Sequence, residues 1–455
     1  MDLCFLKHAE LDESMQEYKG RCVLRGDQVK DETGFYAVFS EQGTSASHMM
    51  AAKFLNAVAR MPGNDGEDAD ARNAYTQVVL ADMEEYHNVE TWISLPKRQQ
   101  PAYWSKYKDP VCLLRLNLYG HPLAGPLWEK HATKILLEEG FEKVKGWECL
   151  FMHKKKKLFL SVYVDDFKMA GKKENIGPMW KTLMKKLDLD TPVPFHNSVY
   201  LGTQQHDIET PKDLVEEKAK IYREVWNSMS APKDGQPGEP HAKSVTTLPA
   251  TKKQKVRAWQ YTMNGHAEQA IQRYLDLANK TAEDLKPVST PCIDDHMFLP
   301  EDLEGTGTLS PVAARIVLKA LYLARMNRPD LLWAVNDMAR KVTKWSVACD
   351  KRLHRFMSYL QHNQNLAQVN WVGESPENCK LMIFVDAGFA GDLLDSKSTT
   401  GAQIVLVGPN TFVTLGWMCK KQGAVSHSSS KAEIIALEAA VRMEGIPALQ
   451  SWEEI

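Results

Sequence analysis

The stretch that most restricts what this chain can fold into is FLSVYVDDFKMAG (159–171), an apolar run interrupted by two adjacent acids. Its β-branched and aromatic residues predict strand, tight acidic turn, strand, a hairpin with Asp165-Asp166 at its bend. Two acids at the tip of a buried strand are costly unless something positive neutralises them. A divalent ion is the usual partner, and Mg²⁺ is held by one or two carboxylates together with the phosphates of a substrate. The pattern therefore points to a nucleotide, while an acidic hairpin tip with no chemistry stays open as the alternative.

At 455 residues the chain can bury a large core and is expected to form two or three domains. With 44% hydrophobic and 25% charged residues it has an ordinary globular composition. Its apolar runs fall well short of the ~20 residues of a membrane span, so no membrane is expected as a partner. Residues 1–30 show no basic stretch followed by an apolar one, and no secretory signal is read there. Eight scattered cysteines include no C-x-x-C pair, which predicts free intracellular thiols rather than a zinc or disulfide framework. The net charge of -2 excludes a uniformly basic nucleic-acid binder but leaves local tracks at His153–Lys157, Lys172-Lys173, Lys181–Lys186 and Lys252–Arg257.

Along the chain, MMAAKFLNAVAR (49–60) has helical spacing, PGNDGED (62–68) reads as an interruption, and LWEKHATKILLEE (127–139) reads as an amphipathic helix. Residues 209–258 lose periodicity after a short helix and are expected to be an insertion or linker. Helical patterning returns over 311–362. From 380 three strand-like segments precede the helix SSSKAEIIALEAAVRM. The expected division is 1–208, 209–258, 259–370 and 371–455.

Two-metal phosphoryl transfer needs a third acid beside Asp165-Asp166. Asp70 is the candidate, although it could equally belong to an acidic loop, Asp65–Asp70, or cap a following helix. Further on, Asp386 lies inside an apolar strand, Asp392 follows, and Glu433 sits on the helix. A strand Asp and a helix Glu could converge on a metal, or Glu433 could be a solvated helix position.

Taken in order, these segments resemble the reverse transcriptase and ribonuclease H portion of a copia-type retrotransposon polyprotein. Tyr18-Lys19-Gly20-Arg21-Cys22-Val23 resembles the family's YKARLV, Ala37-Val38-Phe39-Ser40 its ETFSP, and Asp70 through Tyr75 its DVKTAF. LYGHPLAGPLW (118–128) is similar to LYGLKQSPRAW at the same Tyr-to-Trp spacing. Gly140-Phe141 with Tyr163-Val164-Asp165-Asp166 resembles GF…YVDD, and Tyr200-Leu201-Gly202 resembles FLG. Downstream, Pro287–Pro291, Tyr322-Leu323-Ala324 with Asn327–Asp330, Phe384–Asp392, Ser398–Gly401, Trp417 with Lys420–Gln422, and Ser428–Glu433 are similar to the family's connection and ribonuclease H motifs.

The resemblance implies an α+β fold: right-hand polymerase fingers and palm, a thumb and connection, then an incomplete ribonuclease H-like α/β domain. It implies RNA-directed DNA polymerase activity, with Asp70, Asp165 and Asp166 binding Mg²⁺ or Mn²⁺ as the catalytic carboxylates. Lys19 and Arg21 would face the triphosphate, Tyr75 would gate the sugar, and Gly120 would allow close backbone approach near the templating base. Tyr200-Leu201-Gly202 would be a primer-grip turn, with a plain hairpin as the other reading. Asp386 and Glu433 would be the first ribonuclease H metal ligands. The partners implied are an RNA template, a DNA primer, an RNA–DNA hybrid and deoxynucleoside triphosphates. The implied location is intracellular, in cytoplasmic virus-like particles or the nucleus.

Departures from the family pattern accompany these expectations. Only 17 residues precede the YKARLV-like segment, Ala124-Gly125 replace the SP of the family motif, and Val385-Asp386-Ala387-Gly388-Phe389 replaces SDADW with loss of its second acid. The chain ends at Ile455, before the family's next Asp, so ribonuclease H activity is not expected from this chain alone. The rival expectation is a catalytically inactive relic that binds nucleic acid through its lysine clusters without turnover.

Overall fold

The computed structural model describes residues 1–7, 13–30, 49–83, 90–230, 255–392 and 395–455. The motif Ala37–Ser40 lies outside the described residues, as do 231–254 of the expected linker. The chain divides into two compact units, Met1–Leu55 with Asp65–Val193, and Asn56–Asn64 with Pro194–Ile455. No helix among the described residues is long and apolar enough to cross a membrane. The architecture is α+β, as the sequence led us to expect.

In the first unit, strands β1 (Asp2–Lys7) and β2 (Glu17–Cys22) pair antiparallel, with Phe5 opposite Lys19 and Leu3 opposite Arg21. Helix α1 (Met49–Arg60) follows, then β3 (Asn64–Asp70), the short pair β4 (Trp92–Ile93) and β5 (Cys112–Leu113), and α2 (Ala124–Glu138). Next come β6 (Glu142–Lys143), β7 (Leu150–His153), β8 (Leu158–Tyr163), β9 (Asp166–Lys172), α3 (Lys173–Leu183) and β10 (Val193–Pro194). The sheet runs β10-β3-β9-β8-β7-β6. Alternation along β8 sends Leu158, Leu160 and Val162 into one core with α2 and α3, which supply Leu127, Trp128, Leu136, Met179 and Trp180. From the other face of β8, Phe159 meets Phe54 of α1 edge-on, with ring centroids 5.6 Å apart.

Strand β3 departs from the sequence expectation. The interruption shrinks to a turn before Asn64, where Gly63 takes φ +75°, and the acidic run NDGEDAD becomes a strand of the sheet. Its propensity opposes this, but packing and pairing decide strand formation more than intrinsic preference. The compensating interaction is the ion pair between Lys168 of β9 and Asp68, Nζ to Oδ1 at 3.0 Å and to Oδ2 at 3.3 Å. Their side chains are 1% and 6% exposed.

The second unit holds β11 (Val199–Tyr200), β12 (Thr203–Ile208), α4 (Lys212–Ser230), β13 (Arg257–Thr262), α5 (Asn264–Ala278) and α6 (Pro300–Glu304). It continues with α7 (Ala313–Met326), α8 (Leu332–Arg340), α9 (Val347–His362), β14 (Gln368–Val372), β15 (Lys380–Gly388), β16 (Thr399–Gly408), β17 (Thr411–Lys421), α10 (Ser429–Ala440) and α11 (Ile446–Trp452). One sheet, ordered β11-β12-β13-β14-β17-β16-β15, runs across residue 370. Its two halves join at Trp371 opposite Phe412, whose rings stack at 5.6 Å. The C-terminal end of α1 is held in this unit by buried Arg60, which donates to Asp207 at 2.9 Å and lies 4.3 Å from the Trp259 ring centroid.

Removing one partner of a buried ion pair leaves an unpaired charge in low dielectric. Lys168→Met is therefore expected to cost about 3–5 kcal/mol, while Lys168→Met with Asp68→Leu recovers most of it. Urea unfolding of both variants checks this.

Candidate active site

The β8–β9 hairpin closes with Tyr163 opposite Asp166, so its two loop residues are Val164 and Asp165. The bend sits one residue earlier than the sequence suggested: Asp165 is in the loop and Asp166 opens β9. Val164 holds φ +56°, which a β-branched residue adopts only under strain. Its carbonyl accepts a 2.5 Å hydrogen bond from the indole Nε1 of Trp128, a fully buried residue of α2.

Asp70 ends β3 beside this turn. The Ala71 amide donates to the Asp165 carbonyl at 2.7 Å, and the Asp190 amide donates to the Asp70 carbonyl at 2.8 Å. Asp70 therefore closes a strand rather than capping a helix; Asn73, at φ +48°, precedes the short turn Ala74–Gln77. All three acids are half-exposed. Period-two alternation places Lys168 one step inward from Asp166 on the same face of β9, and Asp68 one step inward from Asp70. The buried ion pair thus backs the acids.

A cationic and aromatic group lies in the same unit. The Arg21 guanidinium carbon is 5.1 Å from the Phe5 ring centroid and 4.8 Å from that of Tyr119. Tyr119 in turn lies 4.6 Å from Tyr75, which packs half-buried against the core. Burial first, then the charge of Asp165, pushes the Tyr75 phenol above its ordinary pKa, against the opposing pull of Arg21. Burial likewise raises Tyr119, with Arg21 opposing and Asp165 adding to the rise. Arg21, Tyr75 and Asp165 are thus one electrostatic neighbourhood, and Tyr119, present in the sequence only as a motif letter, links them. Lys19 shares the strand face of Arg21 two residues away. Gly120 does permit a close backbone approach, but to Leu24: a Cβ there would stand 2.1 Å from the Leu24 carbonyl oxygen.

In the second unit, Tyr200-Leu201-Gly202 forms the β11–β12 hairpin, with φ +50° at Leu201 and +71° at Gly202. Positive φ at both loop residues is the type I′ arrangement. The Tyr322 hydroxyl of α7 donates to the Leu201 carbonyl at 2.7 Å. Asp386 lies exposed on the edge strand β15 opposite Gly401, and Glu433 is half-exposed on α10. Asp392 pairs with Lys421 of β17.

Among the described residues, no three His, Cys, Asp or Glu side chains stand close enough together to hold a metal ion. The backbone brings Asp70 and the acidic turn together without closing their carboxylates around one point. The donor chemistry nevertheless fits Mg²⁺, which needs only one or two carboxylates when phosphate oxygens complete its shell.

Residues 4–216 match the family model described as reverse transcriptase (RNA-dependent DNA polymerase). Over this stretch, a little under half of the chain, the match is to a reverse transcriptase domain. The chain is 25% identical over 434 residues to the retrovirus-related Pol polyprotein from transposon RE1 of Arabidopsis thaliana, covering 94% of this chain and 24% of the relative. It is also 25% identical over 438 residues to the corresponding RE2 polyprotein, covering 94% of this chain and 24% of that relative. The chain thus spans about a quarter of the length of these copia-type relatives. A solved structure of a foamy viral protease-reverse transcriptase in complex with double-stranded DNA aligns at a TM-score of 0.37 and 11% identity, over 95% of this chain and 54% of that one.

The raised phenols of Tyr75 and Tyr119 carry a pH signature. Unfolded tyrosine ionises near pH ~10, and the folded state holds its protons longer, so this stabilisation is complete below ~10 and is lost as pH rises through the folded pKa values. Absorbance titration at 295 nm is expected to show late-ionising phenols, one of which disappears in Tyr75→Phe.

Proposed function

We propose that the chain acts as an RNA-directed DNA polymerase, extending a DNA primer on an RNA template with deoxynucleoside triphosphates. The observation that carries this reading is the 2.7 Å hydrogen bond from the Ala71 amide to the Asp165 carbonyl, which sets the end of β3 beside the acidic turn. Asp70, Asp165 and Asp166 would hold Mg²⁺, or Mn²⁺ in its place. Such ions lower the pKa of a primer 3′-hydroxyl and neutralise charge developing on the phosphoryl group being transferred.

The chain's own residues orient and select. Lys19 and Arg21, on one face of β2, meet the triphosphate as cations, and Arg is suited to phosphate oxygens by its planar fork. The two rings flanking its guanidinium limit where Arg21 can reach. Tyr75 forms the floor beneath the incoming sugar, where a bulky side chain meeting a 2′-hydroxyl favours deoxynucleotides. Gly120 shapes the wall by letting the Leu24 backbone pack against it. The β11–β12 turn serves as primer grip, the helices α5–α9 as thumb and connection, and β15–β17 with α10 as a ribonuclease H-like part in which Asp386 and Glu433 are the metal ligands.

Primer extension on an RNA template with Mg²⁺ or Mn²⁺, run beside Asp165→Asn, tests the reading. Metal-dependent incorporation in the parent and a loss of about a thousandfold or more in the variant, the scale of a lost electrostatic group, is expected. Duplex binding without incorporation by the folded parent would instead identify a nucleic-acid-binding relic, with affinity falling steeply as salt rises.

A further inference from the structure

We propose that Trp128 is a positioning residue, whose indole N–H holds the strained acidic turn in the conformation that presents Asp165 and Asp166 beside Asp70. Its catalytic consequence rests on the polymerase reading; its structural consequence does not.

The turn is held against its own preference. Val164 is the residue with positive φ in a two-residue hairpin loop, a position where glycine is the favoured occupant. A valine there is strained. The Trp128 indole supplies a specific counterweight at 2.5 Å, from a ring that is itself fully buried. Trp128 is packed in place: Phe167 meets it edge-on with ring centroids 6.4 Å apart, and it belongs to the buried core cluster that includes Leu127 and Ala132 of α2. The next carbonyl along the turn, Asp165, accepts the Ala71 amide. A continuous chain of contacts therefore runs from α2 through Val164 and Asp165 to the end of β3. Without its first link, the turn can relax and carry Asp165 away from Asp70.

The second unit repeats the device independently. Leu201 is also an aliphatic residue at positive φ opening a two-residue hairpin loop, and its carbonyl also accepts a hydrogen bond from an aromatic side chain on a helix, Tyr322.

Hydrogen exchange read by mass spectrometry tests the tether without requiring activity. In Trp128→Phe, exchange at Ala71 and across 163–167 is expected to rise about tenfold or more, the equivalent of ~1.4 kcal/mol, while α3 stays unchanged. Adding Val164→Gly, which accepts positive φ without strain, is expected to return most of the protection. Primer extension by Trp128→Phe should lose kcat by a similar factor while KM for the primer–template stays within about twofold, and the double variant should recover. Uniform acceleration of exchange through the unit, no acceleration, or no recovery in the double variant would overturn the proposal. Should Trp128→Phe alone not fold, rescue of folding by Val164→Gly supports the tether and failure of rescue overturns it. If exchange behaves as expected while no form incorporates nucleotides, the tether stands and the polymerase reading falls.

Discussion

The first unit depends on one buried ion pair. Strand β3 is acidic along its length and could not enter the middle of a sheet unless the charge it buries were matched. Lys168 matches it at Asp68, deep between β3 and β9. With that charge satisfied, the strand can run on to Asp70 at its exposed end, alongside the acidic turn. A hydrophobic pair would stabilise such a position as well or better, so stability alone does not explain the ions. Their placement one step inward from Asp70 and Asp166 fixes which face of each strand those acids occupy.

The same unit sets the turn by opposing strain with a single directed bond. Val164 resists the conformation that Trp128 enforces, and the Ala71–Asp165 contact passes the result to β3. Nearby, the Arg21 guanidinium lies against Phe5 and Tyr119, and Tyr119 against Tyr75, so one cation and two phenols share the electrostatic neighbourhood of Asp165. Together these put an acid, a cation and two rings within one electrostatic neighbourhood.

Much of this was legible in the sequence, because periodicity and turn chemistry report local structure. The hairpin, the helix at α2, the helical run of α7 to α9 and the three strands before α10 all declare themselves, while the α+β class came from the resemblance of the ordered motifs. The acid pair was visible for the same reason, although its bend lies at Val164-Asp165. What stayed hidden depends on contacts distant in sequence. Asp68 looked like loop because Lys168 lies 100 residues away. Trp128 was only a spacing marker and Tyr119 a motif letter, since neither the indole bond to Val164 nor the Arg21 sandwich has a local signal. Gly120 was read as an approach to substrate, and its neighbour is the Leu24 backbone. Strand β14 was invisible as a link because its pairing partners, β13 and β17, come from either side of it in the chain.

The measurement that most directly tests the central claim, that Asp70 and the acidic turn form one metal-dependent nucleotidyl-transfer site, is anomalous diffraction from crystals of the chain grown with a primer–template, a deoxynucleoside triphosphate and Mn²⁺. The account predicts manganese density bridging the triphosphate and the carboxylates of Asp70, Asp165 and Asp166. Manganese and nucleotide bound elsewhere, with these three carboxylates carrying no ion, would contradict it.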